Sequence, residues 1–433
     1  MKIPYRYLII LAAFVFASFT PAAAQSGGVK AFTGATLFDG TGKPSITDAV
    51  LLVRNGKVEA VGRSNEVSVP RGTQRTDLKG KYVIPGMIST HVHVSDVQGT
   101  KPRAYTEENT MRQLGVFARY GMTSVWSLGG EQEPAFKARA EQSTASLDRA
   151  RLFLSGEIIV AKTPEEARAK VAKVAEGKPD FIKIRVDDTL GTSTKMPPEV
   201  YRAVIDEAHK HKLPVAVHIF YLDDAKDLLR SGVDMIAHSV RDKEIDEEFI
   251  ALMKQRNVPY CPTLTREIAT FVYESKPDFF SDPFFAKEAD PAMVAQLQEP
   301  KRQEAMRTSK SAQRYKEGLV VANRNLKKAA DAGVLIVMGT DSGAFPERFQ
   351  GYFEHLEMKM MQDAGMTPAQ VLRSATGDAA KEMGATDVGT LTKGSWADFV
   401  VLDKDPLADV SNTKSIASVW IAGNSVKGAG ATD

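Results

Sequence analysis

Short apolar runs separated by polar turns fill the first part of the chain. From residue 29 to about 81 the pattern reads AFTGATLFDGTG and then AVLLVRNGKVEAVG, where Asn55-Gly56 is a strong two-residue hairpin signal. A similar texture returns in GSWADFVVLDKDP and ASVWIAGNSVK, with Ala422-Gly423-Asn424 at a turn. Two β-rich stretches flanking a long middle predict one small β-sandwich domain built from both ends, residues 25–84 and 386–433.

Between them, in 85–385, apolar strand-like runs alternate with helical ones, the texture of βα units on a parallel sheet. Strands are predicted at 82–92, 122–127, 151–155, 181–185, 215–219, 235–238, 259–264 and 334–340. Eight is the number that closes a (β/α)8 TIM barrel, so the expected fold is α/β with that barrel at its centre. Helix signals separate most of the strands. Thr163-Pro164-Glu165-Glu166 pairs an N-cap threonine with proline at the first helical position, and Gly232 is placed as a C-cap after 223–230. The rhythm breaks at 265–315, rich in Phe, Pro and charge. Lying between strands seven and eight, that segment is expected to be a lid over the mouth or an interface arm.

Composition changes the picture at one end. Lys2 and Arg6 precede an apolar run from Leu8 to Phe19, and Ala22-Ala23-Ala24 offers small residues for cleavage. Residues 1–24 read as a cleavable signal peptide, too short for a membrane span, and predict a periplasmic or secreted protein without a membrane anchor. Loss of Lys2 and Arg6 brings the 56 basic residues level with the 54 acidic ones, which argues against a nucleic-acid partner. Cys261 is the only cysteine, so no intrachain disulfide is possible and stability must come from packing, metal or assembly. A homo-oligomer is expected.

Candidate chemistry begins with His91 and His93 in VIPGMISTHVHVSD. Residues two apart on a strand share a face, so both imidazoles can reach one metal ion. The pair alone is equally compatible with buried histidines that satisfy backbone groups. Lys183, His218, His238 and Asp341 change the balance, each late in or just after its own predicted strand, where barrel enzymes carry reactive groups. Lys183 sits in the apolar run DFIKIR, where a charged amine is costly. Desolvation lowers its pKa, and the neutral amine can add carbon dioxide to give a carbamate that bridges two cations. The alternative is a lysine that turns outward or pairs with Asp187 or Asp188.

The ordered set VIPGMISTHVH, GMTSVWSLGG, DFIKI, VAVHI, GVDMIAHS, VMGTDSG and GTLTKGSWADFVVLDKDP resembles the amidohydrolase superfamily. The likeness is to the branch of imidazolonepropionase-like proteins, metal-dependent prolidases and Xaa-Xaa dipeptidases, and it covers nearly all of the chain after residue 24. It implies that His91, His93 and Asp341 hold a buried metal, that His218 and His238 hold a second, and that Lys183, N6-carboxylated, bridges them. Two divalent ions, expected to be Zn2+, would share a hydroxide that attacks an amide carbonyl, with Asp341 as the catalytic proton acceptor.

Departures from the family pattern bear on substrate. Relatives often read H-A-H-G or H-A-Y-G where this chain has His218-Ile219-Phe220-Tyr221, and Arg-Asp where it has Trp126-Ser127. Trp126 and Phe220 are expected to bias the pocket toward apolar or aromatic groups. Tyr221 is a candidate to bind a carbonyl or carboxylate, or else a packed mouth tyrosine, and Arg266 is a candidate anion binder or else faces solvent. The expected substrate is a dipeptide or N-acyl amino acid. The rivals are a hydrolase of cyclic amides, lactones or amide-bearing xenobiotics, and a non-catalytic periplasmic binding protein. His209, His211 and His355 are expected on solvated helix surfaces, Cys261 in the core, and Met358, Met360 and Met361 in helix packing.

Overall fold

The computed structural model describes residues 28–430, so the proposed signal peptide lies outside the described residues. The chain opens with β1 (Lys30–Leu37), β2 (Ile46–Arg54), β3 (Lys57–Arg63), β4 (Gln74–Asp77) and β5 (Tyr82–Pro85). Asn55 (φ 51°) and Gly56 (φ 76°) join β2 to β3, both in the left-handed region that a tight hairpin needs.

A parallel series follows: β6 (Met87–Val92), β7 (Met122–Ser127), β8 (Arg151–Leu154), β9 (Ile182–Arg185), β10 (Val215–His218), β11 (Met235–Ala237) and β12 (Tyr260–Cys261). The last strands are β13 (Phe399–Leu402), β14 (Ile416–Ile421) and β15 (Asn424–Ser425).

Strands from both ends meet in one eight-stranded sheet, ordered β15-β14-β13-β5-β1-β2-β3 with β4 also on β1. All eight strands are linked in one hydrogen-bonded sheet, and this pairing does not resolve the two layers of the expected sandwich. Its main apolar cluster draws Phe32, Leu51, Val83, Phe399 and Val401 from both ends of the chain.

The predicted strand 82–92 is in fact two. Gly86 divides it because a Cβ there would come within 2.0 Å of Thr123 Oγ1. The chain therefore crosses from the accessory sheet (β5) to the parallel series (β6) at the one residue that permits the approach.

The parallel series forms a three-stranded sheet, β6-β7-β8, and a four-stranded one, β9-β10-β11-β12. The expected eighth strand, 334–340, is not a ladder strand, so the hydrogen-bonded barrel does not close. Its backbone groups are divided among several partners: Met338 N–H donates to Ser374 O, while Thr340 and Asp341 N–H both donate to His91 O. Single bridges, Tyr260 to Ile336 and Val92 to Ser342, still hold this segment between β12 and β6. A third, Ile159 to Ile184, links the two sheets on the other side. The fold is α/β, with seven parallel strands in two arcs.

Segment 265–315 is folded as short helices. Pro283, Pro291 and Pro300 each start one, which explains the broken rhythm. Phe279, Phe284 and Phe285 pack on Tyr120 and Tyr352, and Glu288 pairs with Arg119, fixing the segment against neighbouring helices.

One buried ion pair ties the parallel strands to the C-terminal part of the accessory sheet. Arg151 Nε lies 2.7 Å from Asp398 Oδ2, both nearly inaccessible, and Asp398 Oδ1 also accepts from Ala422 N–H at 2.7 Å. Removing one member strands a buried charge. Asp398→Ala is expected to lower unfolding free energy by about 3–5 kcal/mol, read as the midpoint of urea denaturation. A loss below about 1 kcal/mol would show that the pair contributes little.

Candidate metal centre

Three non-glycine residues at strand ends around one cleft have positive φ: His238 (71°), Thr263 (48°) and Asp341 (64°). That conformation is unfavourable for an L residue, most of all for β-branched threonine, and persists where the surroundings over-determine it. The surroundings here are hydrogen bonds. Asp341 N–H is held by His91 O, and Thr263 Oγ1 sits 2.7 Å from His238 Nδ1. Glu357 accepts from the Leu264 and Thr265 N–H groups at 2.8 and 2.7 Å, fixing the turn that follows Thr263.

These elements bring the six candidate ligands together. The donor atoms of His91, His93 and Asp341 all lie within 4.8 Å of one another. The His238 ring centroid is 4.6 Å from that of His91 and 4.1 Å from that of His218. His93 Nδ1 donates to Gly129 O at 3.1 Å, which directs Nε2 toward Asp341, 2.9 Å away. His218 Nε2 donates to Asp187 Oδ2 at 2.8 Å and keeps Nδ1 for a ligand. Desolvation holds His91 (down to about 3), His218 and His238 in the neutral form that binds metal. Burial opposes ionisation of Asp341, yet the Arg348 guanidinium and the contacts with the His91 and His93 rings hold its carboxyl well below the usual range.

Lys183 is buried beside them, and its Nζ has no hydrogen-bond partner. Desolvation brings its ammonium down to about 8, with Asp341 opposing. It pairs with neither of the aspartates that the sequence offered. Asp187 is taken by His218 and Arg185, and Asp188 accepts from Tyr221 Oη. A buried amine without a partner, facing histidines and a carboxylate, suits a site completed by metal. His91 Nδ1 is likewise without a partner. The donor set therefore fits divalent cations of the N/O-binding kind.

Sequence reading did not single out the supports of this cleft. Arg348 contacts Asp341 Oδ2 and lines the cleft, and Glu131 accepts from Gly129 and Gly156 N–H, both at 2.8 Å. Glu354 takes the hydroxyls of Thr340 and Ser342, both at 2.7 Å. Glu354 and Glu357 lie on a helix, Tyr352–Asp363, whose buried face also carries Phe353, Met358 and Met361. Acidic residues in phase with an apolar face were the available signal.

Of the substrate candidates, Arg266 lines the cleft, which encloses about 390 Å3. Trp126 does not line it, being buried and stacked on Phe153 at 4.0 Å. Phe220 is buried against Arg241, and Tyr221 is engaged with Asp188 outside the lining. Apolar lining comes instead from Leu128, Ile158, Ala344 and Phe345. His355, expected on the surface, is buried between Thr413 Oγ1 (2.9 Å) and Tyr120 O (2.8 Å), and desolvation lowers it to about 4. His209 and His211 are exposed and Cys261 is buried.

Comparisons with known proteins bear on the fold and the family. An imidazolonepropionase of Deinococcus radiodurans is 24% identical over 404 residues, covering 87% of this chain and 92% of its own. A Bifidobacterium longum protein assigned as a prolidase superposes with a TM-score of 0.75 at 23% identity, over 94% of this chain and 97% of its own. A Xaa-Pro dipeptidase solved with methionine in its active site gives 0.73 at 21%, over 92% and 99%. The family model for amidohydrolases matches residues 82–426. The chain belongs to the amidohydrolase family and is a hydrolase of carbon–nitrogen bonds.

Proposed function

We propose that this chain is an exported, binuclear metal-dependent amidohydrolase that cleaves dipeptides or N-acyl amino acids bearing an apolar or aromatic group. The observation that carries the reading is the buried Lys183 amine, without a partner, on the cleft lining that carries both sets of donors. His91, His93 and Asp341 would hold one cation, His218 and His238 the other, and Lys183 as a carbamate would join them. The cations would supply the charge that acidifies water and polarises an amide carbonyl.

The chain's own groups do the rest. Asp341 is kept ionised by Arg348 and accepts the proton that the attacking water sheds, then returns it to the departing nitrogen. Gly129 O and Asp187 fix the orientation of His93 and His218. Leu128, Ile158 and Phe345 offer the apolar wall that Trp126 and Phe220 do not. A cyclic amide or lactone is the second reading, supported by the likeness to an imidazolonepropionase. Domain limits at 84/85 and 385/386, the 265–315 segment as lid or interface arm, and a homo-oligomeric state belong to the same reading. Among the described residues no helix is long and apolar enough to cross a membrane.

Protein prepared with ample zinc should carry two ions per chain by elemental analysis and hydrolyse members of a panel of dipeptides and N-acyl amino acids. Lys183→Ala should lose about one ion per chain and most of that activity, because no carboxylate spans the pair. A wild-type content that stays near zero would sink the reading. Full metal and full rate in Lys183→Ala would make the lysine structural.

Asp341→Asn keeps size and one oxygen but loses the proton acceptor. Its kcat should fall about a hundredfold or more, with a smaller change in KM. Rate and bound metal are measured on the same sample. Turnover that returns to wild type with excess zinc would assign Asp341 to metal holding alone.

A further inference from the structure

One wall of the cleft holds buried guanidinium N–H groups that the protein leaves without an acceptor. Arg241 and Arg266 both face a single buried carboxylate, Glu267. Arg266 Nη1 donates to both Glu267 oxygens, at 3.0 and 3.1 Å, while Arg241 Nε lies 3.3 Å from Oε1 without forming a hydrogen bond. Arg241 Nε and Nη2 and Arg266 Nε are buried without an acceptor. Neither guanidinium is free to swing toward water. Arg241 lies over the Phe220 ring at 4.7 Å and Arg266 over the Tyr315 ring at 4.6 Å. Arg348 adds a third buried guanidinium, and its partner Asp341 also serves His91 and His93. The buried Asp187 also acts on Arg241 but is already taken by His218 and Arg185. Three buried guanidiniums thus share their carboxylates with other groups and leave several N–H donors unmatched, an arrangement that is costly unless an anion completes it.

The position of each arginine selects the one that meets a ligand. Arg241 is sealed, whereas Arg266 lines the cleft together with His218, His238 and Asp341. Farther out, Arg103 and Arg185 are half-exposed on the same lining and already paired with Asp96 and Asp187, so they leave no such deficit.

We propose that Arg266 is the receptor for a free carboxylate on the substrate, and that Arg241, through their common partner Glu267, positions it. The proposal rests on the amide-hydrolase reading and assigns, within it, the group that receives the free carboxylate carried by dipeptides and N-acyl amino acids. A planar guanidinium braced by an aromatic ring suits a planar carboxylate, which takes paired N–H donors. The site then rejects an otherwise identical amide lacking the charge, because the buried donors would stay unmatched.

The test uses zinc-loaded protein and two substrates that differ only in that group, N-acetyl-L-phenylalanine and N-acetylphenethylamine. The wild type should favour the acid in kcat/KM by about a hundredfold or more, and Arg266→Met should bring that ratio close to one. Equal rates on the two in the wild type, or an unchanged ratio in Arg266→Met, would overturn the proposal while leaving the hydrolase reading intact. If neither substrate turns over, calorimetry with 3-phenylpropanoate and 3-phenylpropanamide decides it. Acid binding should weaken at least about tenfold in Arg266→Met, since affinity that survives there belongs to the cations and refutes the arginine. Should Arg266→Met not fold, Arg266→Lys keeps a charge opposite Glu267. Its acid binding should fall about tenfold, and wild-type binding in that variant would overturn the proposal.

Discussion

Asp341 has to carry a negative charge where water is almost absent, and much of the cleft is arranged around that demand. Its carboxylate meets His91, His93 and Arg348, and its N–H is tied to the carbonyl of His91. The same contact holds the segment after Gly339 against β6, where a Cβ at 339 would come within 2.8 Å of His91. Electrostatics and backbone geometry are therefore met by one set of atoms. The irregular path that leaves the barrel ladder open at 334–342 is what aims this carboxylate at the histidines.

Strain concentrated at His238, Thr263 and Asp341 is balanced by buried acids one layer behind. Glu131, Glu354 and Glu357 each accept several hydrogen bonds from the turns that end the strands. Glu357 shows how demanding this is, since burial pushes its carboxyl up to about 7 even as Thr265 and Leu264 donate to it. Rigid turns at the mouth have their source in helices and carboxylates that never touch the cleft.

Much of this could be read from the chain. The seven parallel strands fall at predicted positions because each is a short apolar run bounded by turn signals, and the six ligand candidates converge because each sits at such a boundary. Asn55-Gly56 makes the expected hairpin. What could not be read depended on three-dimensional neighbours. Nearness in sequence to strand ends points Trp126 and Phe220 to the pocket, yet packing on Phe153 and Arg241 holds them in the core. Nothing near His355 in the sequence marks it as buried, because the groups that enclose it, Tyr120 and Thr413, lie far away along the chain. Arg348 gave no local signal, since its partner was defined only by the fold of the loop after Asp341.

Gly86 carries a consequence for how such a chain can change over evolution. The accessory sheet and the strand bearing His91 are one covalent ribbon, with β5 ending at Pro85 and β6 beginning at Met87. Four residues separate the crossing point from the first ligand. An accessory sheet joined in this way is not an appendage to be exchanged or trimmed, because a one-residue slip in its register would turn His91 to the opposite face of its strand. Drift in the outer strands is thus coupled to the inner site. Lineages of this architecture should diversify by altering loops at the mouth while inheriting sheet and cleft as a single unit.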